Sequence, residues 1–411
     1  MKPEQRHSKT QIAPVLLCTL LSPYSSATQI NHCVEILSTD EELLELTISL
    51  ANRAYLAPAL YHQLRAHQHL SRFDEQLIAY LREMTHFMQH RNSSLKELTM
   101  EVIQISNHNG IAPLLIKGAS ILFSDIYPDT GMRFMSDLDI LYKRDDALKI
   151  FNILRKHDFD VPKRYLTTNA PDYYSTGSAD TPVTLPRSQH LLPLYREGAP
   201  CSIEIHHRPL ATFFENFMDC DTAFSSAVKI PELSDKPLTA YRMSPLHEIL
   251  HCFVHSELAH MTYAYRLFDL RHMDYFVRLV HAHREQINWE QIHSIMRNAN
   301  AEKTFQHYLF SVNKLFGTNF PTLIKASGQK PFNALYQKRL KSCFPENRFI
   351  WKLEKFSLEI RNLLSKRKMA SLYEIDTPLA LAKARILYLL FLSKKYSNPT
   401  RLIARVRYSF S

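Results

Sequence analysis

The sequence predicts an α+β protein that is mostly helical, with a small mixed β-sheet domain between helical N- and C-terminal regions. Apolar residues recur at helical spacing from Ile30 to Asn109 and again after Ser244. Between these regions, short apolar runs of strand length alternate with turn residues. At 411 residues and 45% hydrophobic, the chain can bury a substantial core and build several packed regions.

The predicted boundaries divide the chain into three regions. These are a helical region over residues 1–109, an α/β catalytic domain over residues 110–243, and a helical region over residues 244–411 whose basic tail starts at about residue 338. The first boundary lies at Asn109-Gly110, because this pair is a typical helix stop.

Each element of the α/β domain follows from a local pattern. Ile111–Ile116 is a short apolar run, which predicts a buried strand, and Lys117–Phe123 begins a helix directly after it. Ser136–Tyr142 and Cys201–His206 are predicted to be two further strands. Asp145–His157 carries apolar residues at helical spacing and is predicted to be an amphipathic helix.

The composition excludes several classes of protein. The chain has only 7 glycines and contains neither G-x-x-x-x-G-K-[ST] nor G-x-G-x-x-G, which argues against P-loop and dinucleotide-binding folds. Its 6 cysteines form no C-x-x-C pair, as expected of reduced thiols in a cytoplasmic protein. No stretch reaches the roughly 18 to 20 apolar residues that span a bilayer. We therefore expect a cytoplasmic location.

Basic residues concentrate at the C-terminal end. From Lys338 onward there are 17 Lys and Arg against 5 Asp and Glu, a net charge of +12, whereas the whole chain carries +10. This tail is expected either to be a solvated helical face or to bind nucleic acid or an acidic membrane surface. Residues 379–396 combine apolar and basic side chains, as interfacial helices do. Peripheral membrane attachment is therefore an open alternative.

The most informative residues are two aspartates on one predicted strand. Asp137 and Asp139 are two residues apart, so their side chains share one face at a spacing of about 7 Å. Two carboxylates repel each other, which favours a cation between them. Capping of the following helix is the alternative, but the apolar neighbours Ile140, Leu141 and Tyr142 disfavour it.

A third acid, Glu204, lies on the predicted strand Cys201–His206, with Ile203 and Ile205 on the opposite face. If this strand is a neighbour of the aspartate strand, the three carboxylates converge on one edge of the sheet. Such an arrangement holds two divalent ions for phosphoryl or nucleotidyl transfer. Oxygen ligands favour Mg²⁺ or Mn²⁺ over zinc. The alternative role for Glu204 is an ion pair with Arg208 or a nearby lysine.

The turn Lys117-Gly118-Ala119-Ser120 joins a strand to a helix. Glycine at this position allows close approach of a phosphate, and a new helix offers free N–H groups. Lys117 adds positive charge, although it is equally suited to neutralising the acidic cluster.

Three further side chains are candidate phosphate contacts. Arg133 can bind two phosphate oxygens at once, with an ion pair to Asp129 as the alternative. His206 and His190 are the other two candidates, and structural hydrogen bonds are the alternative for both.

These motifs together resemble a known family. They are Leu115-Ile116-Lys117-Gly118-Ala119, Tyr127-Pro128, Arg133, Ser136-Asp137-Leu138-Asp139-Ile140-Leu141 and Glu204-Ile205-His206. The run resembles the uncharacterised nucleotidyltransferase-like family of the DNA polymerase β nucleotidyltransferase superfamily, from about Leu43 to Tyr275. The resemblance implies a nucleotidyltransferase-type sheet, metal ligation by the three acids, and nucleotide contacts near Gly118 and Ser120. The chain departs from the superfamily in two ways: Gly118 is followed by alanine rather than serine, and the third acid, commonly Asp, is Glu204.

The predicted function is transfer of an NMP group from an NTP to an acceptor hydroxyl or phosphate by a two-metal mechanism. The predicted catalytic and metal-binding residues are Asp137, Asp139 and Glu204, with Mg²⁺ or Mn²⁺ as cofactor. The predicted nucleotide-binding residues are Lys117, Gly118, Ser120, Arg133 and His206. The sequence leaves open whether the acceptor is a protein, an RNA or a small molecule.

Two alternative functions stay open at this point. His247-Glu248-x-x-His251 matches the zinc motif H-E-x-x-H, in which two histidines bind the metal and the glutamate acts as general base. His255 continues the same helical face, and Asp269 or His272 is a candidate third ligand, so a zinc metallopeptidase is one alternative. A buried helix with structural histidines explains the same residues more simply. The other alternative is a non-catalytic scaffold whose basic tail binds a membrane or nucleic acid.

Overall fold

The computed structural model describes residues 3–162, 189–233, 237–324 and 328–344, and scattered residues between 357 and 386. Residues 1–163 and 189–344 form one compact unit, and residues 164–188 and 345–411 form a second. The predictions for the basic tail, including the interfacial helix over 379–396, fall almost entirely outside the described residues.

The N-terminal part of the first unit is helical, as predicted. Its helices are α1 Pro3–Leu21, α2 Ala27–Thr39, α3 Glu41–Arg53, α4 Ala57–Ala66 and α5 Glu75–His108. Ser26, Asp40 and Asp74 cap the starts of α2, α3 and α5, because each side chain accepts a hydrogen bond from a backbone N–H of the first turn. The predicted stop after α5 is confirmed, and Gly110 adopts the left-handed φ of +70° that favours glycine.

A five-stranded mixed sheet occupies the middle of the chain. Its strands are β1 Leu114–Leu115, β2 Leu138–Leu141, β3 Ile203–His206, β4 Val228–Lys229 and β5 Tyr241–Arg242. The strand order is β3-β2-β1-β5-β4. The pairs β2–β3 and β1–β5 are parallel, whereas β1–β2 and β4–β5 are antiparallel. This sheet between helical regions confirms the predicted α+β class.

Two helices connect the central strands. The short α6 Gly118–Ile121 follows β1, and α7 Arg144–Arg155 lies in the crossover between the parallel strands β2 and β3. Helix α7 packs against β3 and α5, and it buries Ile150 and Leu154. The crossover places β3 beside β2, which is the placement that the candidate site requires.

The remaining elements are helical and pack around the sheet and the N-terminal helices. They are α8 Cys220–Ser225, α9 Pro245–Phe253, a π-helical turn Val254–Ala259, α10 Thr262–Tyr265, α11 Leu270–Ala282, α12 Trp289–Asn298, α13 Glu302–Phe316 and α14 Gln329–Cys343. Helix α1 packs against α3, α13 and α14, so both ends of the first unit share one apolar core. The division into three domains stays a prediction. Within the described ranges, no helix has the length and apolarity needed to cross a bilayer.

One ion pair is completely buried in this packing. Arg339 on α14 lies 2.6 Å from Glu257 in the π-helical turn, and both side chains are 0% exposed. Arg339 Nε also donates a hydrogen bond to the carbonyl oxygen of Leu267. Removing one partner of a buried pair leaves an uncompensated charge away from water, which is strongly destabilising.

Replacing Arg339 with methionine is therefore expected to lower the free energy of unfolding by about 3–5 kcal/mol. The matched control is Arg297→Met, because Arg297 pairs with Glu302 at 3.6 Å and its side chain is 53% exposed. The control is expected to change stability by less than about 1 kcal/mol. Urea denaturation of both variants measures the difference, and equal losses would contradict the buried pair as a major contributor.

Candidate functional site

The register of β2 and β3 brings the predicted acids together. Asp139 is the direct partner of Glu204 in the parallel pairing, so the two carboxylates lie on the same face of the sheet. Asp137 lies two residues before Asp139, directly before the first residue of β2, and its charge interacts with those of Asp139 and Glu204. The expectation that the two acid-bearing strands are neighbours is thus confirmed.

A histidine joins the acids on the same face. His206 lies two residues after Glu204 on β3, and its Nε2 is 2.8 Å from Asp139 Oδ1 and 3.7 Å from Glu204 Oε2. Ligand atoms of Asp139, Glu204 and His206 all lie within 4.8 Å of one another, the one such group in the described part of the chain. The nucleotide-binding role of His206 stays a prediction, and its hydrogen bond to Asp139 fits the structural alternative. The spacing of two residues between Glu204 and His206 on a strand was the available signal for this position.

Lys117 reaches the acids from the turn after β1. Its Nζ lies 2.6 Å from Asp139 Oδ1, so it neutralises the cluster as the alternative interpretation expected. The backbone of Lys117 has φ 50° and ψ −126°, a region that residues with a side chain rarely adopt. Strained backbones of this kind cost about 1–3 kcal/mol each and cluster at functional sites. The chain therefore holds this ammonium over Asp139 at a conformational cost.

Burial and neighbouring charges shift the pKa values of the three acids. Burial and, to a smaller extent, the negative charges of Asp139 and Glu204 together raise the pKa of Asp137 to about 6. Burial also opposes ionisation of Asp139, but Lys117 and His206 outweigh it, and the pKa of Asp139 lies below its usual value. Burial likewise opposes ionisation of Glu204, but the nearby imidazoles of His206 and His190 outweigh it, and the pKa of Glu204 is lowered. Three acids thus share one compensating lysine and two nearby imidazoles.

These side chains fit a divalent cation. Burial is the main cause of the raised pKa of Asp137, and the charges of Asp139 and Glu204 add to it, so three carboxylates lie close enough to oppose one another's ionisation. Carboxylate oxygens are the ligands that Mg²⁺ and Mn²⁺ prefer, and Mn²⁺ also accepts imidazole nitrogen. Asp137, Asp139, Glu204 and His206 are therefore the residues able to hold a metal here.

The turn after β1 packs inward. A Cβ added at Gly118 would lie 2.6 Å from Met135 Cγ, so glycine is required because the Met135 side chain fills the adjacent space. Ser120 is buried, and its hydroxyl donates to Glu248 Oε1 at 2.8 Å. Tyr275 donates to the same oxygen at 2.7 Å. The nucleotide-binding roles of Gly118 and Ser120 stay predictions, and these contacts show packing roles for both.

Arg133 lies away from its expected structural partner. The Asp129 carboxylate accepts a hydrogen bond from the Gly131 N–H, whereas Arg133 donates to the carbonyl oxygen of Arg271 at 3.2 Å. The Arg133 guanidinium also lies 5.6 Å from the centre of the Tyr275 ring. Within the described residues its buried Nε has no hydrogen-bond partner. The nucleotide-binding role of Arg133 stays a prediction.

The structural alternatives for the acids concern their charged partners and helix capping. Arg208 forms an ion pair with Glu215, and the charge of Glu204 also acts on the nearby Lys117. Helix α7 begins after Lys143 without a side-chain cap, so neither aspartate of β2 caps it. His190 Nε2 lies 3.6 Å from Glu204 Oε2, which places the second candidate histidine at the rim of the same cluster.

The residues of the H-E-x-x-H motif have separate partners. His247 Nδ1 lies 2.6 Å from Ser226 Oγ, and His251 Nε2 lies 3.0 Å from the carbonyl oxygen of Pro209. Glu248 is buried and accepts the hydrogen bonds from Ser120 and Tyr275. These three motif residues form no metal-ligand group in the ranges that the structure describes. The geometry favours the simpler interpretation of a buried helix with structural histidines.

Two substitutions at Lys117 separate its charge from its backbone strain. Lys117→Gly and Lys117→Ala both remove the ammonium, but only glycine adopts φ 50° without a Cβ clash. The glycine variant is therefore expected to be more stable than the alanine variant by about 1 kcal/mol in urea denaturation. The same pair at the exposed Lys149, inside α7, is expected to show the opposite order by about 1 kcal/mol, because glycine weakens a helix. The same order at both positions would contradict strain at Lys117.

Comparison with known proteins agrees with this geometry. A family model described as an uncharacterised nucleotidyltransferase matches residues 40–317, which is more than half of the chain. The matched range includes all five strands and the cluster of Asp137, Asp139, Glu204 and His206, and it confirms the resemblance seen in the motifs. No curated protein and no solved structure matches the chain.

Proposed function

The chain belongs to the uncharacterised nucleotidyltransferase family that matches its residues 40–317, and on that premise we propose that it transfers an NMP group from an NTP to an acceptor hydroxyl or phosphate. One observation carries the proposal: the β2–β3 register sets Asp139 opposite Glu204, with His206 on the same face and Asp137 directly before β2, where its charge interacts with both acids. Carboxylates that converge in this way are the protein's usual contribution to two-metal nucleotidyl transfer.

The acid cluster is proposed to hold Mg²⁺ or Mn²⁺ through Asp137, Asp139 and Glu204. A metal bound there neutralises phosphate charge and favours departure of pyrophosphate. His206 orients Asp139 by donating to Oδ1, and its buried position keeps that carboxylate in place. The second oxygen of Asp139 stays available for a ligand.

Lys117 is proposed to serve both Asp139 and the substrate. An ammonium has three N–H donors, so Lys117 can keep its hydrogen bond to Asp139 while it donates to a phosphate oxygen. The positive charge then lies where a polyphosphate approaches three carboxylates, and it reduces their mutual repulsion. The nucleotide-binding role of Lys117 and its neutralising role are therefore compatible.

The proposal also includes the class of acceptor and the location of the protein in the cell. The acceptor is a protein, an RNA or a small molecule, and the proposed location is the cytoplasm, with attachment to an acidic membrane or to nucleic acid through the basic tail. The acceptor decides the biological role, so the first assay has to offer many acceptors at once.

Labelled NTPs incubated with Mg²⁺ or Mn²⁺ and a cell lysate provide that assay. Asp137→Asn/Asp139→Asn is expected to reduce label transfer and pyrophosphate release at least about 100-fold, because the metal-binding charge is lost. The control is Asp145→Asn, which changes an exposed aspartate at the start of α7 and is expected to behave like wild type. Equal labelling by wild type and the double variant would overturn the proposed function.

Metal binding is testable without knowledge of the acceptor. Electron paramagnetic resonance of added Mn²⁺ is expected to show tight binding to wild type and at least about tenfold weaker binding to Glu204→Gln. The control is Glu197→Gln, at an exposed position between α7 and β3, and it is expected to bind Mn²⁺ like wild type. Unchanged affinity in Glu204→Gln would exclude that residue as a ligand.

A further inference from the structure

A second polar cluster lies near the acids and has no part in the chemistry described above. Four imidazoles form a continuous set of ring contacts, with centroid distances of 5.7 Å for His251–His255, 4.1 Å for His255–His260, 5.5 Å for His255–His272 and 6.0 Å for His260–His272. Helix α9, the π-helical turn and the residue after it carry the first three, and α11 carries His272. These four residues are called the histidine cluster below.

The histidine cluster is open to a ligand on one side. His255 is half-buried and His260 is exposed. Within the described residues, neither of these two rings makes a hydrogen bond, so their N–H groups are available. His272 Nδ1 lies 2.7 Å from Asp269 Oδ2, which orients its ring and leaves Nε2 available. π-helical turns such as Val254–Ala259 are rare and occur frequently at functional sites.

Positive charge surrounds the histidine cluster. Arg133 is 7% exposed, and its Nε has no hydrogen-bond partner among the described residues. Burial and the charge of Arg133 lower the pKa of Arg271 to about 10, although Asp269 acts in the opposite direction. Burial is the main cause of this shift, and the guanidinium of Arg133 adds a second positive charge close to that of Arg271.

Burial and nearby positive charge also lower the pKa values of the imidazoles in the histidine cluster. Burial is the largest cause that lowers the pKa of each ring, to about 3 for His251 and about 4 for His272. The charge of Lys117 lowers the pKa of His255 further. The histidine cluster is therefore uncharged at neutral pH, and a bound anion would favour its protonation. The charged and titratable groups that face it are Lys117, Arg133, Asp139, His206, Asp269 and Arg271.

We propose that the histidine cluster, together with Arg133 and Arg271, binds a phosphate group of a substrate of the neighbouring acid cluster. Imidazole and guanidinium N–H groups donate to phosphate oxygens, and the negative charge of the phosphate would favour both guanidinium groups. The link to a substrate rests on the proposed function, whereas binding of a free anion is independent of it.

A metal ion is the other ligand that imidazoles commonly take, and two observations disfavour it. Lys117, Arg133 and Arg271 repel a cation. The ring nitrogens also fail to converge, because the one metal-ligand group in the described residues is that of Asp139, Glu204 and His206. The electrostatics and the geometry therefore both select an anion.

Calorimetric titration of the full chain with inorganic pyrophosphate, in EDTA, tests the site directly. His255→Gln and His260→Gln are each expected to weaken binding about tenfold, because each removes a charge-assisted hydrogen bond. His90→Gln, at an exposed position on α5, is the control and is expected to bind like wild type. His260 is itself exposed, so its substitution is not expected to disturb folding.

A second arm uses the pH dependence of sulfate binding, since sulfate keeps two negative charges between pH 6 and pH 8. Binding that protonates an imidazole takes up a proton, so affinity is expected to rise as pH falls, by up to about tenfold per pH unit for one proton. The rise is expected to be smaller in His255→Gln. A wild-type affinity that does not change with pH would overturn the protonation of the cluster by its ligand.

The outcomes separate this inference from the proposed function. Asp139→Asn is expected to lose NMP transfer and to keep pyrophosphate binding, since the two sites use different residues. A higher KM for NTP in His260→Gln identifies the phosphate as that of the nucleotide, and a higher KM for the acceptor identifies a phosphorylated acceptor. Unchanged pyrophosphate affinity in both histidine variants, or stoichiometric zinc that is lost in His255→Gln, would overturn the phosphate site whatever the transfer assay shows.

Discussion

The parallel register of β2 and β3 is the constraint on which the candidate site depends. It sets Asp139 opposite Glu204, and His206, two residues after Glu204 on β3, falls on the same face. A slip of one residue would turn Glu204 and His206 to the opposite face of the sheet and disperse the cluster. The buried residues Leu138, Ile140, Ile203 and Ile205 oppose such a slip, because each would lose its apolar surroundings.

Charge compensation follows from this register. Three carboxylates in one cluster repel one another, and the ammonium of Lys117, 2.6 Å from Asp139, compensates part of their charge. The backbone of Lys117 adopts a conformation that is rare for residues with a side chain. At the histidine cluster, Arg133 and Arg271 place positive charge next to uncharged imidazoles. The proposed phosphate-bearing substrate and its metal would complement both clusters, since the metal would bind the acids and the phosphates would lie next to the cations.

The helical regions hold the acid cluster and the histidine cluster in place. Glu248 on α9 accepts hydrogen bonds from Ser120 in the turn and from Tyr275 on α11, so one buried carboxylate connects the turn, α9 and α11. This role explains the glutamate of the H-E-x-x-H sequence without a metal. The buried pair of Glu257 and Arg339 anchors the π-helical turn to α14. The polar residues of the helices therefore position the site as much as the apolar core does.

The sequence by itself determined the α+β class and identified Asp137, Asp139 and Glu204 as candidate site residues. Strand alternation and helical periodicity are local patterns that a few neighbouring residues reveal. Only the tertiary structure decided which side chains meet them. It joined His206 to the acids, turned Ser120 toward Glu248, and separated Arg133 from Asp129. It also assembled the histidine cluster from helices whose facing sides no local pattern specifies. The physical reason is that hydrogen-bond partners and pKa shifts depend on packing between elements that are distant in sequence.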